Sequence, residues 1–169
     1  MKDKEELRTL LTKQETSADP YYFSIVSKET GKAIGTLSLM RIEPKYRVIE
    51  VGAVTYSDAL KHTRIATEAQ YLLAKYVFET LQYRRYEWQC DSLNIPSRRA
   101  AERLGFVYEG TFRQAVIYKG RSRDTAWFSM IDKEWSHNKR SFERWLSKDN
   151  FDSQGKQKQS LQTIRQLAN

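Results

Sequence analysis

The stretch from Arg47 to Cys90 constrains the fold more than any other. It opens on an alternating run, Arg47-Val-Ile-Glu-Val-Gly-Ala-Val-Thr-Tyr56, and passes through a short basic loop, Lys61-His-Thr-Arg-Ile-Ala66. It closes on a second alternation, Tyr86, Trp88 and Cys90 against Arg85, Glu87 and Gln89. Alternation at period two marks half-buried strands. Between them Ala69, Leu72, Leu73, Tyr76, Val77 and Leu81 recur at helical spacing, and Thr63 suits the N-cap of a helix running to about Leu81. Two strands joined through a helix run parallel. Gly52, inside the first strand, marks a bulge or a close backbone approach.

The rest of the chain is arranged around this unit. Residues 1–19 read as a short helix with Leu7, Leu10 and Leu11 on one side, ended by Asp19-Pro20. Residues 21–28 and 33–42 read as strands joined by the turn Glu29-Thr-Gly-Lys32. Short connections make these two and the strand at 47–57 antiparallel neighbours. Asn94 is a suitable N-cap, with Pro96 in the first turn and Gly105 as the C-terminal stop. Residues 109–118 and 125–132 read as strands joined by the basic loop Lys119-Gly-Arg-Ser-Arg-Asp124, and 133–146 as a helix. Residues 147–160 are polar and read as mobile, and the last ten as a helical turn or two. The expected organisation is one domain over 1–146 and a basic tail over 147–169.

Composition removes several classes. A chain of 169 residues suits one domain. The single cysteine, Cys90, excludes an internal disulfide and a cysteine-rich zinc site. No apolar run approaches the roughly 20 residues of a membrane span. No apolar leader follows Met1-Lys-Asp-Lys-Glu-Glu, so the cytoplasm is the expected compartment. The net charge is +8, and residues 139–169 hold seven basic against three acidic residues. A solvated basic surface explains this, as would attraction to a polyanion. No aromatic-basic RNA motif is present, so nucleic acid ranks last among partners.

Three pieces carry chemistry, and each has an ordinary alternative. N–H groups at a helix start hold anions, and Lys61, His62 and Arg64 add positive charge there, so a pyrophosphate fits. An exposed basic loop that binds nothing fits equally well. Backbone beside Gly52 could serve a ligand, or simply bulge. Asn94 and Ser97 satisfy ordinary helix-start chemistry.

Together these residues resemble the GNAT acetyltransferase superfamily over about residues 20–146. The family's pyrophosphate signature, Gln/Arg-x-x-Gly-x-Gly/Ala, falls on Lys61-His-Thr-Arg64-Ile-Ala66, with Lys61 in the first position and Arg64 in place of the central Gly. The Asn…Glu-x-x-Gly-Phe helix falls on Asn94, Ser97, Glu102, Gly105 and Phe106. Glu109-Gly110, Arg113, Gly120-Arg-Ser-Arg-Asp124 and Trp127 are similar to the last strands of the ribosomal-protein N-terminal acetyltransferase branch. The resemblance implies an α/β (α+β) fold with a mixed, mostly antiparallel sheet flanked by helices. It implies acetyl-CoA as acyl donor, a primary amine as acceptor, and no metal. Cofactor contacts fall on Ala53, Val54 and Thr55, on Lys61, His62, Thr63, Arg64, Ile65, Ala66 and Thr67, and on Asn94 and Ser97. Arg64 puts an extra side chain and charge beside the expected phosphates.

Many members have a Tyr where Ala101 stands; the ribosomal-protein branch instead has a Ser at the position of Ser97, so the resemblance implies Ser97 as the partner of the leaving thiolate. Glu50 is the candidate base, with Asp124 second. Glu50 also reads as a surface carboxylate paired with Arg or Lys. Cys90 and His62 read as a core residue and a solvated loop residue, and Tyr21, Tyr22 and Trp127 as candidates for an acceptor wall. Family members usually begin with a strand and one or two helices, and only about 20 residues precede Tyr21 here. The exposed sheet edge this leaves could be covered by a second copy in a homodimer. A non-catalytic acyl-CoA-binding or protein-interaction domain is the alternative of a different class.

Overall fold

The computed structural model describes residues 3–167. The helix α1 (Lys4–Glu15) is followed by β1 (Tyr21–Val26), β2 (Ala33–Glu43), β3 (Val48–Tyr56), α2 (Arg64–Lys75), β4 (Arg85–Asp91) and α3 (Ile95–Leu104). Then come β5 (Val107–Tyr118), β6 (Arg121–Ile131), α4 (Asp132–Leu146) and α5 (Leu161–Leu167). A single π-turn, Tyr76–Thr80, continues α2. The strands form one sheet in the order β1-β2-β3-β4-β6-β5. The antiparallel run β1-β2-β3 and the parallel β3-β4 pair follow the expected connections.

The parity of the strands separates the two sheet faces. Ile49, Val51, Tyr86, Trp88, Cys90, Phe128 and Met130 point to one side, where they pack with Leu73, Val77, Ala101, Leu104, Trp135 and Phe142 from α2, α3 and α4. The other side carries Ser38, Glu50, Glu87 and Ser129, all buried despite their polarity. The β5–β6 hairpin differs from the expected six-residue loop: the strands run up to a two-residue turn. Lys119 at φ 50° and Gly120 at φ 72° supply the left-handed pair that a type I′ turn needs.

The expectation of a mobile stretch at 147–160 is corrected. Trp145 Nε1 donates to Gln157 Oε1, and Asn150 Nδ2 donates to the carbonyls of Trp145 and Gln159. These bonds turn the polar segment back on the body. It delivers α5, whose Leu161 and Ile164 are each 1% exposed, against the helical side. Few apolar residues suffice because the buried amide of Asn150 replaces them with hydrogen bonds.

Candidate active site

Strand β3 pairs with β4 only from Val48–Arg85 to Val51–Trp88, and among the described residues no pairing follows. The cause lies on the other side of β3. Its register with β2 shifts between Ser38–Gly52 and Thr36–Thr55, and Ala53, inside this bulge, takes φ 47°. The bulge turns β3 away from β4 and opens a cleft of about 500 Å³ whose wall includes Gly52, Ala53, Val54, Asn94 and Ser97. Backbone N–H groups of β3 past Val51 have no β4 partner there. They are the donors such a cleft can offer to an oxygen.

Helix α3 aims at the cleft from the helical side. Asn94 Oδ1 accepts from Ser97 N at 3.1 Å, and Gly105 ends the helix at φ 100°. The Ser97 hydroxyl oxygen accepts from Trp88 Nε1 at 3.0 Å. With that lone pair engaged, the hydroxyl proton is left to donate, and the Cys90 sulfur lies within its reach. Ala101 is buried, one turn further on. Burial pushes the Cys90 thiol up, with a Ser97 hydrogen bond opposing it, so Cys90 stays a neutral core residue.

Glu50 lies on the opposite sheet face and is 2% exposed, which overturns the surface half of its alternative reading, while the pairing with an Arg is present. Arg41 Nε donates to Glu50 Oε2 at 2.5 Å, and Arg41 Nη2 donates to Gln89 Oε1 at 2.9 Å. Arg41 has φ 48°, held because the Asp19 carboxylate accepts from the N–H groups of Arg41 and Ile42. Burial raises the Glu50 carboxyl to about 7, against the lowering effect of Arg41. A carboxylate half ionised near neutrality suits a general base. Asp124, the second candidate, accepts from the Gln114 backbone N–H at 2.7 Å and so braces a bulge in β5.

The other predicted residues fall outside the cleft wall. Thr55 continues β3, and Lys61 pairs with Asp58 at 2.7 Å. His62 takes φ 61°, and Thr63 caps α2 by accepting from Ala66 N at 3.2 Å. Ile65 packs on the core, while Ala66 and Thr67 are buried, Thr67 accepting from Arg103 Nη2. Arg64, in the first turn of α2, has its side chain engaged by another element. Its guanidinium donates to the Leu146 carbonyl and lies 4.9 Å from the Phe151 ring centre, where it caps the C-terminus of α4. Sequence reasoning did not find Arg41, Gln89 or Trp88 as parts of the site. The alternation in β4 could have placed Gln89 beside Glu50; nothing in the sequence signals the Trp88–Ser97 bond.

A family model for the acetyltransferase (GNAT) domain matches residues 1–107. The chain belongs to this family. A GCN5-related N-acetyltransferase from Brucella melitensis is 48% identical, with a TM-score of 0.95 over 98% of this chain and 75% of that one. The N-acetyltransferase p20 of Bacillus licheniformis, described as uncharacterized, is 33% identical over 68% of this chain and 64% of its own length. YdaF of Bacillus subtilis, provisionally named a ribosomal N-acetyltransferase, is 29% identical over 64% of this chain and 59% of its own. The chain thus spans less than two thirds of these curated relatives. The GNAT fold, an α+β sheet flanked by helices, is as expected. Among the described residues no group of three metal-ligating side chains occurs, and no helix is long and apolar enough to cross a membrane.

Proposed function

We propose that the chain transfers acetyl from acetyl-CoA to a primary amine by direct attack. The observation that carries this reading is the cleft between β3 and β4, with Ser97 on one sheet face and Glu50 on the other. A GNAT domain implies acetyl-CoA, which supplies an activated acyl thioester. The cleft fits a narrow chain such as its pantetheine arm, because β3 backbone past Val51 has no β4 partner along it.

In this reading Glu50 takes a proton from the amine, whose nitrogen bonds to the acyl carbon to give a tetrahedral oxyanion, and the carbon–sulfur bond breaks as that intermediate collapses. An N–H near Ala53 or Val54 steadies the developing oxyanion. Ser97 donates a hydrogen bond to the departing thiolate, which then takes a proton from solvent, while Glu50 returns the proton it took from the amine to solvent. Trp88 holds Ser97 with its proton outward. The N–H groups and basic residues at the start of α2 face the phosphates. Arg64 is spared that role by its bonds to Leu146 and Phe151. The likeness to the ribosomal-protein branch draws support from YdaF.

Calorimetric titration with acetyl-CoA tests the reading. Saturable micromolar binding followed by thiol release with an amine is expected. Binding without release under any amine would support the non-catalytic alternative, and a folded sample that binds nothing would end both.

A further inference from the structure

Glu50 is not the only carboxylate buried on its face of the sheet. Glu87 is 8% exposed, and the parallel register of β3 and β4 makes the two residues direct partners. Neighbouring strands lie about 4.8 Å apart, and partners project to the same face. Two glutamates of equal reach, with water largely shut out, act on each other's charge. The transfer steps use Glu50 and leave Glu87 without a part.

The ion pairs of the two are not equivalent. Arg41 bonds Glu50 at 2.5 Å, and its other side-chain bond goes to the neutral amide of Gln89. Arg85 Nε donates to Glu87 Oε1 at 2.6 Å, but the same guanidinium donates to both oxygens of Glu109, at 2.8 and 2.5 Å. One cation thus serves two carboxylates, and one negative charge beside Glu50 is left uncompensated. Further along this face Asp91 is neutralised by Arg121. Arg123 on β6 adds a positive charge from the cleft wall. Burial is the main cause of the raised Glu50 carboxyl, and Arg41 opposes it. Glu87 acts in the direction of burial, and Arg123 in the direction of Arg41.

We propose that Glu87 is a positioning residue for acetyl transfer: its negative charge, one strand from Glu50 on the same buried face, offsets Arg41 and keeps the base receptive to the proton of the amine. This rests on the acetyl-transfer reading above. An arginine bonded to a carboxylate lowers its proton affinity. Arg41 alone would hold Glu50 in place and weaken it as a base. Glu87 restores that strength without touching the substrate.

Carbon-13 NMR of glutamate-labelled protein reads the Glu50 carboxyl directly, its resonance assigned by its loss in Glu50→Gln. Glu87→Gln keeps the shape of the side chain and removes its charge. The Glu50 midpoint is expected to fall by at least about half a pH unit in that variant, and to stay near the wild-type value in Glu87→Asp. The acid limb of kcat/KM for acetyl-CoA and benzylamine, per neutral amine, should move with it, and the plateau should drop because the base is weaker. A purely structural role would lower the whole profile and leave its midpoint in place. That result, or an NMR midpoint that stays or rises, overturns the proposal. Should Glu87→Gln fail to fold, Glu109→Gln is the second variant. It leaves Arg85 to Glu87 alone, so the midpoint should again fall, and an unmoved one overturns the proposal as well. If benzylamine and every other amine tried stay unacetylated, the transfer reading falls by itself. The NMR midpoint still decides whether Glu87 sets the proton affinity of Glu50.

Discussion

Glu50 is the residue whose protonation the fold alters most usefully. Its carboxyl is raised from an ordinary 4.5 to about 7, so the folded chain keeps a proton that the unfolded chain has released between those values. Stability from this group is therefore highest below the lower value and falls as pH rises through the window, by about 3 kcal/mol in all. Denaturant titrations of wild type and Glu50→Gln at several pH values should show that fall in the wild type only. In catalysis the slope reverses, because the base must be ionised. The kcat/KM profile should climb to a plateau with an apparent pKa near 7. Glu50→Gln should lose that limb and about 10²–10⁴ in rate. Ser97→Ala belongs at the same scale. Removing the donor to sulfur should lower kcat by about 10²–10³ with little change in acetyl-CoA affinity, as pre-steady-state thiol release would show. A wild-type rate in that variant would remove Ser97 from the mechanism.

Helix α3 shows at the scale of an element how a cap positions chemistry. Gly105 takes φ 100°, and a Cβ there would come within 2.3 Å of Asn138 Oδ1 and 3.0 Å of the Arg165 guanidinium. Gly105→Ala should cost at least about 1 kcal/mol for the left-handed backbone alone, read as a lower denaturation midpoint. The Asn94 cap, the Pro in the first turn and the Gly stop were all legible, because caps act over three or four residues of contiguous chain. So were the antiparallel strands, the parallel pair and Gly52 beside a bulge. What was not legible depends on elements far apart in sequence. The bend at Ala53 comes from β2 register, the ionic partner of Glu50 from a left-handed Arg41 braced by Asp19, and the hydroxyl orientation of Ser97 from an indole on β4. The short β5–β6 turn was missed for another reason: residues 119–124 read as loop, although the last four of them extend β6 along β5.

For the whole molecule, the C-terminal segment is the unexpected contributor. Leu161 is 1% exposed, so Leu161→Ala should cost about 2–5 kcal/mol, and a melting curve would show it. A value near zero would mean that residues 147–167 are an appendage after all. The segment also gives Arg64 at the start of α2 a partner, since its guanidinium lies over Phe151 and donates to the Leu146 carbonyl at the end of α4. The bulge at Ala53 has a kinetic consequence. A cleft reached from both faces of the sheet lets donor and acceptor be resident together without either blocking the other's way out. Double-reciprocal plots at several fixed amine concentrations should therefore intersect instead of running parallel. A dead-end analogue of one substrate should leave the second free to bind.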